Sequence, residues 1–77
     1  MSFTEQFQNA TWSDKIRVLR ALKNWSQDEA AEHCGTVKRI YWNWENGEHY
    51  PAKRNRKMIA SAFGIPETDI FGEQQIV

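Results

Sequence analysis

Residues 27–46, QDEAAEHCGTVKRIYWNWEN, constrain this chain more than any other stretch. They read as two short helices around a glycine turn. Ser26 precedes the first helix, with Glu29 three residues on. That is the spacing of a capping box, in which each side chain accepts a backbone N–H at the helix start. Ala30, Ala31 and Cys34 form an inward side, and alanines there let another backbone come close. Gly35 supplies the positive φ that turns the chain sharply. The second helix, expected over 37–46, has two faces. Stepping 100° per residue from Tyr41 places Val37, Ile40, Tyr41 and Trp44 within about 100° of one another, an apolar stripe that needs a partner. Arg39, Asn43 and Asn46 gather opposite, with Lys38 and Trp42 on the flank and no carboxylate before Glu45. A packed helix showing cations, amides and an aromatic outward suits an anionic partner with readable edges.

Upstream, residues 1–10 carry little periodicity beyond Phe3 and Phe7 and predict an N-terminal arm, mobile or briefly docked. Thr11–Asn24 predicts the first firm helix. Thr11 with Asp14 approximates a capping box. Trp12, Ile16 and Leu19 follow the helical period, Leu22, Val18 and Ala21 broaden that side, and Lys15, Arg17 and Lys23 are expected to point outward. Asn24 suits a left-handed stop. Downstream, Asn46 and Gly47 end the two-faced helix, and Glu48–Pro51 is a loop. Ala52–Phe63 predicts another helix, with Ile59, Ala60 and Phe63 as its apolar face and Met58 and Ala62 beside them. Its first turns, KRNRK, set cations against the helix dipole, a cost that a nearby anion relieves. Gly64 stops it. Ile65 and Pro66 lead into a last turn, Glu67–Phe71, where Ile70 and Phe71 close the core. The expected fold is all-α: a compact bundle of four to five short helices over 11–72, flanked by the arm (1–10) and a tail (73–77).

Seventy-seven residues make one small domain with a modest stability margin. A hydrophobic content of 40%, with four Trp among the aromatics, supplies a core. The lone Cys34 excludes an intrachain disulfide framework and points to a reducing compartment, so a cytoplasmic location is expected. No apolar run approaches the roughly 20 residues of a membrane span, and MSFTEQFQNA lacks the basic and apolar regions of a secretory leader. Net charge is zero but polarised. Thr36–Met58 holds six bases against two acids (+4), and the remainder four against eight (−4). Charge runs are commonly solvated faces, but this one follows directly on the helix with the polar face. His33 and Cys34 are adjacent and His49 lies on a loop, but no spacing gathers the about four ligands of a zinc site. Cys34 reads as a small core residue. With no acid–base constellation and no phosphate-binding glycine loop, neither catalysis nor a metal or cofactor is expected.

The segment IRVLRALKNWSQDEAAEHCG, the following helix with its WENG ending, then Pro51 and IASAFGIPETDIF carry a resemblance. Over about Ile16–Phe71 the chain resembles the helix-turn-helix domain of the lambda-repressor-like superfamily, Cro/CI or XRE type. The resemblance implies that Lys38, Arg39 and Asn43 reach base edges in the major groove, Arg39 bidentate to guanine and Asn43 to adenine. It implies phosphate contacts from Gln27 (by side chain or helix N-terminus), Thr36 and Asn46. It also implies a partly buried ion pair between Arg20 and Glu45. The chain departs from the pattern in four places. Ile40 and Trp42 occupy positions more often small or polar, and Trp42 becomes a candidate to pack on a thymine methyl, a sugar or a protein. Lys53, Arg56 and Lys57 stand where apolar residues are commoner, so this helix start, with Arg54, is expected beside phosphates. Val37 replaces the usual hydroxyl cap.

The function so implied is a sequence-specific, double-stranded DNA-binding transcriptional regulator, a Cro/CI-like repressor acting as a homodimer on a near-palindromic operator. It would be a small phage-like regulator or the DNA-binding part of a longer repressor. The alternative on the same fold is a protein-interaction module, an antitoxin or anti-repressor, for which exposed Trp42 and the apolar tail residues Ile76 and Val77 speak.

Overall fold

The computed structural model describes the backbone of residues 3–72 and side chains from residue 6 onward. Among the described residues six helices follow one another: α1 Phe3–Asn9, α2 Trp12–Lys23, α3 Gln27–His33, α4 Lys38–Glu45, α5 Lys53–Phe63 and α6 Glu67–Phe71. The described residues contain no strand. One more helix is present than the expected four to five, because the arm folds as α1 and packs Phe7 against the core. Met1, Ser2 and the expected tail, including Ile76 and Val77, lie outside the described residues.

The helix boundaries follow local chemistry. Thr11 is the extended N-cap of α2, its hydroxyl accepting from the Asp14 backbone N–H. Asn24 ends that helix in the left-handed conformation at φ 61°. At α3 both halves of the capping box form: Ser26 Oγ accepts from Glu29 N, and Glu29 Oε1 accepts from Ser26 N. Gly35, at φ 73°, makes the α3–α4 turn, and Gly64, at φ 67°, closes α5.

The core takes side chains from all the helices after α1: Ile16 and Leu19, Ala30, Ala31 and Cys34, Tyr41 and Trp44, Ile59 and Phe63, and Ile70. Full burial of one such large side chain contributes about 1.5–3 kcal/mol. Ala30 and Ala31 are buried on α3, and their small side chains let α4 pack against it. Trp12 and Phe71 each meet the Tyr50 ring edge-on and each other at a tilt, a second aromatic group that ties α2 and α6 to the loop before α5.

The structure corrects several expectations of facing. Lys15 does not point outward: it is buried, donates from Nζ to the Asp69 carbonyl at 2.9 Å and lies over the Phe7 ring. A lysine stem is apolar enough to be buried when its ammonium finds an oxygen. Arg17 is exposed as expected, and from there its Nη2 donates to the Glu45 carbonyl at 2.9 Å. Leu22, placed on the apolar side, is 66% exposed, and Ala21 is exposed beside it. Val37 and Ile40 are 62% and 44% exposed, so the inward stripe of α4 narrows to Tyr41 and Trp44. Glu45 takes the rest of that arc. Its helical position is about 40° from Tyr41 on the side away from Ile40, and holding it inward rolls Ile40 out.

Candidate nucleic-acid interface

The end of α4 is anchored from three directions. Arg20 of α2 forks onto the Glu45 carboxylate, Nε to Oε2 and Nη2 to Oε1, and its Nη1 donates to the Trp25 carbonyl. Gln27 of α3 donates from Nε2 to Glu45 Oε1 at 3.2 Å. Arg17 holds the Glu45 carbonyl. Burial raises the Glu45 pKa, and the hydrogen bonds from Arg20 and Gln27 outweigh it, leaving the carboxyl below its ordinary range. The same pairing with Glu45 raises the pKa of Arg20. A buried, bidentate, charge-assisted contact of this kind fixes both orientation and position.

With the inner arc of α4 so fixed, its outer arc is fixed too. Lys38, Arg39, Trp42 and Asn43 line one shallow groove. No acidic residue lies in the first turn of the helix. Lys38 Nζ approaches Asp28 at 3.8 Å, an exposed pair of small energetic weight. Asn46 turns its amide back to the Trp42 carbonyl at 2.9 Å, finishing the helix. Val37 is the N-cap in extended conformation without a side-chain hydrogen bond, so α4 starts uncapped by any hydroxyl. Thr36, half-buried in the turn, donates its N–H to the Ala31 carbonyl at 2.9 Å.

A second groove, lined by Lys53, Arg54, Lys57 and Met58, opens at the start of α5. Its three cations are exposed. Arg56, grouped with them from sequence, does not join them. Its side chain is only 13% exposed, and Nη1 donates to the Pro51 carbonyl at 2.8 Å. Nε stands 3.4 Å from Glu67, and the guanidinium covers the Tyr50 ring at 5.2 Å. It joins the α5 start to α6. Gln27 is likewise partly engaged, since its amide serves Glu45.

Sequence reasoning did not single out Arg17. Its partner is a main-chain carbonyl 28 residues away, and only its place opposite a helix C-terminus, where cations are favoured, could have drawn attention to it. Cys34 is buried, and burial pushes its thiol up to about 11, which keeps it protonated at neutral pH.

Fold and groove together define an all-helical domain whose third and fourth helices form a helix-turn-helix, with the second presenting a cationic and amide-bearing face. The chain belongs to the Cro/CI-like helix-turn-helix family: the family model described as Helix-turn-helix matches residues 16–70. Similar proteins are regulators by name. The HTH-type transcriptional regulator AnsR of Bacillus subtilis (strain 168) is 29% identical over 80% of this chain and 53% of its own length. The cryptic phage CTXphi transcriptional repressor RstR of Vibrio cholerae is 28% identical over 83% of this chain and 58% of its own. The HTH-type transcriptional activator BcrR of Enterococcus faecalis is 24% identical over 86% of this chain and 32% of its own. The chain thus spans between a third and three fifths of these relatives. No solved structure matches it.

Proposed function

We propose that this protein is a sequence-specific, double-stranded DNA-binding regulator of transcription that lays the outer face of α4 in the major groove. One observation carries the reading: with Glu45 anchored inward, Arg39, Asn43, Lys38 and Trp42 line a single groove, none of them acidic, and Asp28 meets only Lys38 at its edge. Arg39 offers a bidentate donor for guanine, and Asn43 the donor–acceptor pair that adenine matches. Lys53, Arg54 and Lys57 supply phosphate contacts from α5, and Thr36 and Asn46 supply them beside α4. Gln27 contributes mainly by holding Glu45. The names of the relatives support a regulatory role. Repression by occupying an operator requires nothing beyond such a domain. Two copies related by a twofold axis would read half-sites about one helical turn apart. Among the described residues no helix is long and apolar enough to cross a membrane, and action on DNA in the cytoplasm is part of the proposal.

Selection from a random duplex pool tests it. Enrichment of a near-palindromic site is expected, with Arg39→Ala weakening specific binding by about 1–3 kcal/mol and relaxing one position. Failure to enrich any sequence overturns the reading. Exposed Val37, Ile40 and Trp42 favour a second reading, a protein-interaction module. Its mark would be a partner lost in Trp42→Ala while DNA binding stays intact.

A further inference from the structure

The outer face of α4 is not uniformly polar. Trp42 is 45% exposed, although an indole of that size normally buries more. It shares its groove with Arg39 and Asn43, and Lys38 lies one turn before it. On the helical wheel Trp42 is about 60° from Arg39, and the two residues are about 4.5 Å apart along the axis. An apolar surface therefore sits directly beside the guanidinium that would meet a base edge. Of the groups exposed in the major groove, only the thymine C5-methyl is apolar. The flanking cations match a phosphate-walled groove in charge.

We infer that Trp42 is a specificity-determining residue that receives a pyrimidine C5-methyl group, so that the protein prefers a thymine next to the base pair read by Arg39. This rests on the DNA-binding reading and adds to it a chemical selection by methyl burial. The helix stays in place in Trp42 variants, because the side chain points outward and α4 is held by Glu45.

The test uses the full chain and the operator obtained by selection, with thymines replaced one at a time by deoxyuridine, which removes only the methyl. Wild type should lose about fourfold in affinity at the thymine beside the position relaxed in Arg39→Ala, the factor that burial of one methyl-sized group corresponds to. Trp42→Ala should be indifferent to that replacement, and Trp42→Phe should keep the sensitivity. 5-Methylcytosine in place of cytosine at the same site should recover part of the affinity when the thymine is first changed to cytosine. The inference is overturned if wild type binds its operator but ignores uracil at every position, if Trp42→Ala suffers the same loss as wild type, or if the operator has no thymine there. If no operator is enriched at all, the DNA-binding reading itself fails, which is a different result.

Discussion

The guanidinium of Arg20 and the carboxylate of Glu45 meet in a two-pronged contact that ties α2 to the last turn of α4. Glu45 is 3% exposed and Arg20 22%. Everything proposed for the outer face of α4 depends on the orientation this contact sets.

Glu45→Gln should therefore destabilise the protein by about 3 kcal/mol at neutral pH, because it leaves the Arg20 charge half-buried without its partner. The folded carboxyl titrates below its ordinary value of 4.5, so its contribution is fully present above that pH. It is lost as pH falls through the lower folded pKa. Urea unfolding at pH 7 and near pH 3 should show the gap between wild type and variant shrinking in acid.

Val37→Ser should have the opposite effect. Val37 already adopts the extended N-cap conformation of α4 but offers no acceptor to the helix N–H groups. A hydroxyl there should add about 1 kcal/mol, read as a higher urea midpoint with an unchanged slope.

Tyr41 is completely buried, and its hydroxyl lies near the Glu45 carboxylate without a well-formed hydrogen bond. Burial first, then the nearby Glu45 carboxylate, pushes the phenol far above its ordinary pKa. Tyr41→Phe removes an unsatisfied polar atom and opens little space. Stability should be unchanged or rise by up to about 1 kcal/mol in thermal unfolding.

Arg56→Ala should cost about 2 kcal/mol by loss of the charge-assisted bond to the Pro51 carbonyl and of the ion pair with Glu67. Lys57→Ala, on the exposed side of the same turn, should change stability by less than about 0.5 kcal/mol. Parallel thermal melts of the two variants separate the structural cation from the surface one.

Much of this arrangement was legible in the sequence because it is local. The caps at Thr11, Ser26 and Asn24 and the turn at Gly35 depend on residues within a few positions of each other, and each forms where the pattern predicts, although at Thr11 only the hydroxyl half of the expected capping box is made. The residues lining the α4 groove were also grouped correctly as neighbours, since helical phase alone brings Lys38, Arg39, Trp42 and Asn43 together. What sequence phase cannot supply is a distant partner. Helical phase points Lys15 outward, because its acceptor, the Asp69 carbonyl, is 54 residues away. Phase likewise points Ile40 inward, because nothing in the periodicity of α4 says that a glutamate will displace it. Sequence groups Arg56 with the surface cations, because Glu67 reaches it only through the turn between α5 and α6 and the Tyr50 ring only through the fold of the loop before α5. The Arg20–Glu45 pair became visible ahead of the structure only through family resemblance.

The most direct test of the DNA-binding claim is fluorescence anisotropy with random-sequence duplex DNA across a salt series, for wild type, Arg39→Ala and Lys57→Ala. The account predicts affinity falling steeply with salt, a log–log slope of about −0.9 for each phosphate neutralised, and a slope about one unit shallower in Lys57→Ala. A protein shown by circular dichroism to be folded, yet unable to bind duplex even at low salt, would contradict it.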